Sequence, residues 1–205
     1  RGLMPQHALD LLKAFRLDVM KSRYESWDEL IEYCRYSAMP VGRFVLDVHG
    51  ESQMTWPASD AICAALQINN HLQDCGRDYH DLDRVYLPLD ALIAAGTNVE
   101  ALREPNASAA LRACLHDVAK RTRDLLDRGK DLPAQISDAR LAVEIRATID
   151  LAYAINDLLL ARDPLSEPVH LKKSQMLGVT IGALASGVIA HFGGRGRRGV
   201  EAQPK

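Results

Sequence analysis

Gln67-Ile-Asn-Asn-His-Leu-Gln-Asp-Cys-Gly-Arg-Asp-Tyr79 decides how this chain is read. Asn70, Asp74 and Asp78 follow one another at four-residue steps. On an α-helix each such step turns a side chain by only about 40° and lifts it by about 6 Å. The three side chains therefore form a ladder of oxygen donors along one helical face, with Asn70 and Asp78 roughly 12 Å apart along the axis. Hard cations such as Mg²⁺ prefer carboxylate and amide oxygens. A lone D-x-x-x-D is more often just an exposed face. Here, however, the run before it, Ala61-Ile-Cys-Ala-Ala-Leu-Gln-Ile68, is largely apolar, so the helix enters the ladder from a packed core. Gln67 falls on the same side one step earlier, and Gln73 precedes Asp74. His71 lies about 100° round the helix from Asn70 and reads as a structural histidine facing elsewhere.

Two further landmarks flank the ladder. Tyr33-Cys-Arg-Tyr-Ser-Ala-Met-Pro-Val-Gly42 lies about thirty residues upstream, and Arg84-Val-Tyr-Leu-Pro88 follows the acidic helix. Taken in order, Tyr-Cys-x-x-x-Ala-x-x-Val-Gly, Gln-x-x-Asn-x-x-x-Asp-x-x-x-Asp and Arg-x-Tyr-x-Pro resemble the squalene and phytoene synthase family. The phrasing Arg23-Tyr-Glu-Ser-Trp-Asp-Glu-Leu30 and Asn70-His-Leu-Gln-Asp74 is most similar to the family's bacterial hopanoid-pathway branch, and within it to the enzyme that makes hydroxysqualene from presqualene diphosphate. The resemblance runs from about Asp18 to Val179. It implies an all-α, terpenoid-synthase-type helical bundle around a central cavity.

It also implies a Mg²⁺-dependent enzyme acting on an isoprenoid diphosphate, either presqualene or farnesyl diphosphate. On that resemblance Asn70, Asp74 and Asp78 hold the metal, and Tyr33 and Gln67 steady the carbocation or orient a water. Val41, Gly42, Arg77, Arg84 and Tyr86 contact substrate, with Gly42 making room for the isoprenoid chain. Presqualene diphosphate synthase and phytoene synthase remain alternatives, as does a non-catalytic relative acting as an assembly or binding protein.

The departures from the family pattern are specific. Met39 stands where the pattern has a small residue, and Pro40 and His71 where it has aliphatic ones. Gln73 replaces an Arg or Glu. The resemblance also expects an earlier D-x-x-x-D facing the second across the cavity. Upstream of Tyr33, Asp10 and Asp18 are eight apart, and Asp28 with Glu32 sits too close to Tyr33; Asp127-x-x-x-Asp131 is downstream and interrupted by Gly129. On this reading the chain is a fragment without its N-terminal helices, holding half of a metal site.

Composition fits a helical protein. Of 205 residues, 47% are hydrophobic and only 5% aromatic, with Ala and Leu abundant, which favours helix. Lys plus Arg number 25 against 27 Asp plus Glu, so no basic field attracts nucleic acid. Cys34, Cys63, Cys75 and Cys114 lack C-x-x-C spacing and read as small core residues rather than zinc ligands or disulfide partners.

Helices are expected over His7–Ser22, from a Ser26/Glu29 capping box towards Ala38, over Val41–Gly50 after a bend at Pro40, and from a Ser59 or Asp60 cap through the ladder. Further helices are expected over Leu89–Ala95, Asn106–Arg128 ended by Gly129, and Ser137–Arg162. Residues 1–192 read as one domain and 193–205 as a disordered basic tail. Leu177–Phe192 carries no charge over sixteen residues, too few to span a membrane, and reads as a buried final helix with a shallow membrane contact as the alternative. These features point to a cytoplasmic protein, with peripheral membrane association an option given its C30 lipid chemistry.

Overall fold

The computed structural model describes residues 4–171. Among them the secondary structure is helical throughout. Eight α-helices follow in order: α1 (Gln6–Met20), α2 (Trp27–Ser37), α3 (Met39–His49), α4 (Trp56–Leu82), α5 (Leu89–Ala94), α6 (Ala109–Gly129), α7 (Leu132–Gln135) and α8 (Ala139–Ala161). Short 3₁₀ turns lie at Gln53–Thr55 and Val99–Arg103. The apolar stretch at 177–192 and the basic tail lie outside the described residues. No helix among those described is long and apolar enough to cross a membrane.

Helix α4 organises the bundle. Its 27 residues run for roughly 40 Å, and α2, α3, α6 and α8 all pack against it. Ile62, Ala64, Ala65, Ile68 and Leu72 are buried on its inner side. Beside them Asn69 donates to the Ala152 carbonyl of α8 at 3.0 Å. Asn156 of α8 donates to Asn69 Oδ1 at 3.1 Å and to the Ala119 carbonyl of α6 at 2.9 Å. One buried amide pair thus ties three helices together, and the Asn156 carbonyl oxygen is left buried with no partner.

The helix limits follow the expected pattern with instructive exceptions. Ser26 caps α2 by accepting from the Glu29 N–H at 3.3 Å, while the Glu29 carboxylate reaches back to the Glu25 N–H, one residue earlier than in a standard box. Ala38 separates α2 from α3, and Pro40 sits in the first turn of α3, where its missing N–H costs nothing. The expected cap of α4 at Ser59 or Asp60 is replaced by an earlier start: Ser52 caps the preceding 3₁₀ turn and α4 begins at Trp56. Ser59 is buried inside the helix and Asp60 pairs with Arg43 of α3.

α6 ends at Gly129 as expected, and the glycine has a second task. A Cβ there would stand 2.5 Å from Ile62 Cγ1 and 2.7 Å from the Ala58 carbonyl. It is glycine because α6 and α4 touch. All four cysteines are free and helical, with Cys34, Cys75 and Cys114 buried, as their apolar settings suggest.

Candidate active site

Beyond Ile68, α4 emerges from the core and presents its polar ladder. Asn70 is exposed, while Asp74 and Asp78 are half-buried. Arg77, one turn on from Asp74, pairs with that carboxylate at 2.7 Å and is itself largely exposed. Burial first, and then the negative charge of Asp74, raise the Asp78 carboxyl above its ordinary range. Arg77 and Arg84 offset part of that rise. The donor set fits Mg²⁺, a hard cation that accepts a few protein oxygens and fills its remaining positions from water and phosphate. Among the described residues no three His, Cys, Asp or Glu side chains gather into a metal-binding group.

Behind the ladder stands an aromatic cluster. The Tyr33 hydroxyl of α2 donates to Asp18 Oδ1 at the end of α1, at 2.9 Å, and lies 3.5 Å from the Tyr86 hydroxyl. The rings of Tyr24, Tyr33 and Tyr86 lie within 5.5 Å of one another, centroid to centroid. The Arg84–Pro88 segment delivers Tyr86 to this place because it is tied back to the α1–α2 connection. Val85 N–H donates to the Ser22 carbonyl and Leu89 N–H to the Tyr24 carbonyl, each at 2.9 Å. Arg84 donates to the Asp18 carbonyl at 2.6 Å and to the Tyr86 hydroxyl at 3.4 Å. Burial, reinforced by neighbouring Tyr86 and Asp18, pushes the Tyr33 phenol far up, so it stays protonated.

His71 is buried and turned from the ladder, as its sequence reading has it, and it packs on the aromatic cluster. Its ring stacks on Tyr86 with centroids 3.4 Å apart and planes 15° apart, and its Nε2 is 3.1 Å from the Gln67 side-chain nitrogen. Burial, with the charge of Arg84 second, holds its pKa down to about 3. Asp18, Tyr24 and His71 are therefore site neighbours that the sequence reading did not select. Tyr24 stood within the quoted family phrasing and was the available signal; nothing local marks Asp18.

Two recesses border α4 here. One, about 250 Å³, is lined by Ser37, Ala38, Val41, Cys63, Leu66 and Gln67 and is mostly apolar. It brings Val41 and Gln67 together, and with Val41 49% exposed it is an open groove rather than a closed cavity. Gly42 next to it turns its open side to α4 instead, where a Cβ would stand 2.5 Å from Cys63 Sγ and 2.6 Å from Ser59 Oγ.

The other recess, about 610 Å³, runs from Asp74 and Arg77 to Arg103, Glu104 and the 164–170 segment. It carries both signs of charge and selects neither. Gln73, the departure from the family pattern, works at its edge. Its amide donates to the Val169 carbonyl and lies 3.3 Å from His170 Nδ1, clipping the chain beyond α8 to α4.

Comparisons with known proteins bear on the family and the fold. The squalene/phytoene synthase family model matches residues 1–175. The chain belongs to that family. A hydroxysqualene synthase from Rhodopseudomonas palustris is 57% identical over 196 residues, covering 96% of this chain and 67% of that protein. One from Sinorhizobium fredii is 52% identical over 97% of this chain and 68% of its own length. The crystal structure of squalene synthase HpnC from Alicyclobacillus acidocaldarius superposes with a TM-score of 0.69 at 35% identity, over 78% of this chain and 59% of that one. A dehydrosqualene synthase structure, at 19% identity and a TM-score of 0.76, shares the fold. The chain thus spans about two thirds of these curated relatives and less of the solved structures. Its fold is that of the squalene and dehydrosqualene synthases.

Proposed function

We propose that this chain carries the second acidic wall and the carbocation-facing wall of a hydroxysqualene synthase, which ionises presqualene diphosphate and lets water capture the resulting cation. Asp74 and Asp78, with the Asn70 amide oxygen, would hold Mg²⁺. When bound, the ion neutralises charge on the departing diphosphate. The remaining work falls to side chains. Arg77 and Arg84 border the ladder and offer donors to diphosphate oxygens. Tyr33, kept neutral by burial and oriented by its bond to Asp18, presents a ring face and phenol dipole that stabilise positive charge without adding to it. Tyr86 and Tyr24 extend that aromatic surface. The apolar groove beside Val41 accommodates isoprenoid chain and excludes water, while Gln67 on its wall offers a polar group that orients the one water required.

The observation that supports this reading is the half-buried ladder of Asp74 and Asp78 on α4, joined to the tyrosine cluster by Arg84, whose N–H donates to the Asp78 carbonyl at 3.1 Å and whose side chain donates to the Tyr86 hydroxyl at 3.4 Å. The test is turnover of presqualene diphosphate with Mg²⁺ by the full natural chain. Diphosphate release is expected, and Asp74→Asn should lower it by a thousandfold or more, about 4 kcal/mol of transition-state stabilisation. Farnesyl diphosphate condensed to presqualene or phytoene product, with presqualene diphosphate untouched, would replace this reading with a condensing synthase. Association with a lipid surface would follow from the chemistry of a C30 substrate and is tested by vesicle flotation.

A further inference from the structure

Gln67 reaches the wall of the apolar groove with Ser37, Ala38, Val41, Cys63 and Leu66, yet a glutamine amide alone is a poor device for orienting a water. Its oxygen accepts and its nitrogen donates, and free rotation about its last bond interchanges them. In this protein that freedom is removed. The Gln67 amide nitrogen stands 3.1 Å from His71 Nε2. An amide nitrogen can only donate, so the imidazole nitrogen accepts.

The imidazole cannot turn aside. It is buried, stacked on Tyr86 with planes 15° apart, and lies 6.1 Å from the Tyr33 ring. Among the described residues the Gln67 side chain has no other hydrogen bond, so its carbonyl oxygen is the group left to face the groove.

We propose that His71 is a positioning residue: by accepting from the Gln67 amide it fixes the Gln67 carbonyl oxygen towards the groove, and thereby decides whether the carbocation is captured by water or loses a proton. This rests on the reaction proposed above. In capture, a water lone pair forms the C–O bond and one water proton passes to the released diphosphate. In the competing route, a C–H bond next to the cationic carbon breaks, its electrons form C=C, and the same diphosphate takes the proton. Both routes consume one substrate and release one diphosphate; the products differ by one water. An acceptor oxygen on the groove wall holds a water by its O–H, leaving the lone pair aimed at carbon.

The test compares product partition in the full natural chain and its His71→Leu and His71→Gln variants, given presqualene diphosphate and Mg²⁺. The expected result is a fall of at least tenfold in the ratio of alcohol to hydrocarbon in His71→Leu, whatever the change in total turnover. His71→Gln, whose side-chain oxygen can accept from Gln67, should recover much of that ratio. A merely structural histidine would lower turnover and leave the ratio unmoved, and that outcome overturns the proposal. A substrate-free arm records ¹⁵N shifts of the His71 ring at neutral pH: Nε2 should be unprotonated, and a protonated Nε2 also overturns the proposal. If the wild-type chain releases no diphosphate, the reaction itself is refuted and the partition proposal falls with it. Because the ¹⁵N result is independent of turnover, that failure is distinguishable from a wrong assignment of the His71–Gln67 contact.

Discussion

Asn69 and Asn70 are neighbours with identical side chains, and α4 puts them to opposite uses. Asn69 is buried, bonded to α8, and fixed by Asn156 at a three-helix junction. Asn70, a helical step of about 100° away, is exposed at the top of the acidic ladder. One face of the helix is spent on holding the helix still; the other is left electrostatically unsatisfied. A side chain's chemistry is thus set by which way a rigid helix turns it, and substitutions on the two faces should separate stability from activity.

The sharpest break in that comparison is the pair Asn156→Leu and Asn70→Leu. Asn156→Leu leaves Asn69 Oδ1 without its donor in a dry interior, and should destabilise the protein by about 3 kcal/mol in urea unfolding. Asn70→Leu, on an exposed turn, should change stability by less than about 0.5 kcal/mol, yet lower kcat/KM with presqualene diphosphate by about a hundredfold, close to 2.7 kcal/mol. Equal losses of stability from the two would erase the distinction.

Acid should act mainly on the buried side. His71 is neutral in the folded protein, with its pKa lowered from 6.5 to about 3, whereas the unfolded chain takes up the proton near 6.5. The unfolded state therefore binds more protons between these values, and stability is lost as pH falls through that window, by about 1.4 kcal/mol per unit. Asp78 acts in the opposite sense: its raised carboxyl binds a proton more tightly when folded, so it favours the folded state towards acid. Urea midpoints of wild type and His71→Leu between about pH 6.5 and 5 isolate the histidine, and the variant should lose most of the wild-type slope.

Close helix contacts give the smaller effects. Gly129→Ala sets a methyl against Ile62 and the Ala58 carbonyl, and should cost about 2 kcal/mol because backbone cannot swing away. Gly42→Ala meets only the Cys63 and Ser59 side chains, which can rotate, so about 1 kcal/mol is expected. Thermal unfolding of both variants ranks them, and the reverse order would mean that α3, not α6, is the tighter neighbour of α4.

The division of labour was legible in sequence where it is local. The four-residue ladder and the apolar run before it, the Ser26 cap and the helical order all follow from periodicity and capping chemistry. What was not legible depends on distant chain. Gly129 does end α6, but the close approach that requires a glycine lies on α4, some 67 residues away at Ile62. His71 is correctly turned from the ladder, but what it meets is Tyr86, brought round by a segment whose path is set by carbonyls at Ser22 and Tyr24. Asp18 failed as part of an acidic pair and serves instead as the acceptor that orients Tyr33. In the site, therefore, motif residues were visible and the residues that aim them were not.

The glycine contacts have a mechanical consequence. Gly42 and Gly129 bring α3 and α6 close against the first half of α4, at Cys63, Ser59, Ile62 and Ala58, and Gly76, whose Cβ would meet Leu165 at 2.7 Å, does the same for the second. The helix is a shaft in three bearings, unable to spin. Side-chain oxygens lie roughly 5–6 Å from a helix axis, so a spin of about 20° would carry each ladder oxygen some 2 Å. A displacement of about 1 Å already costs reactions on the order of a hundredfold. Azimuth is thus what the bearings conserve, and a stack of oxygens one turn apart works as a single instrument only because its shaft does not turn.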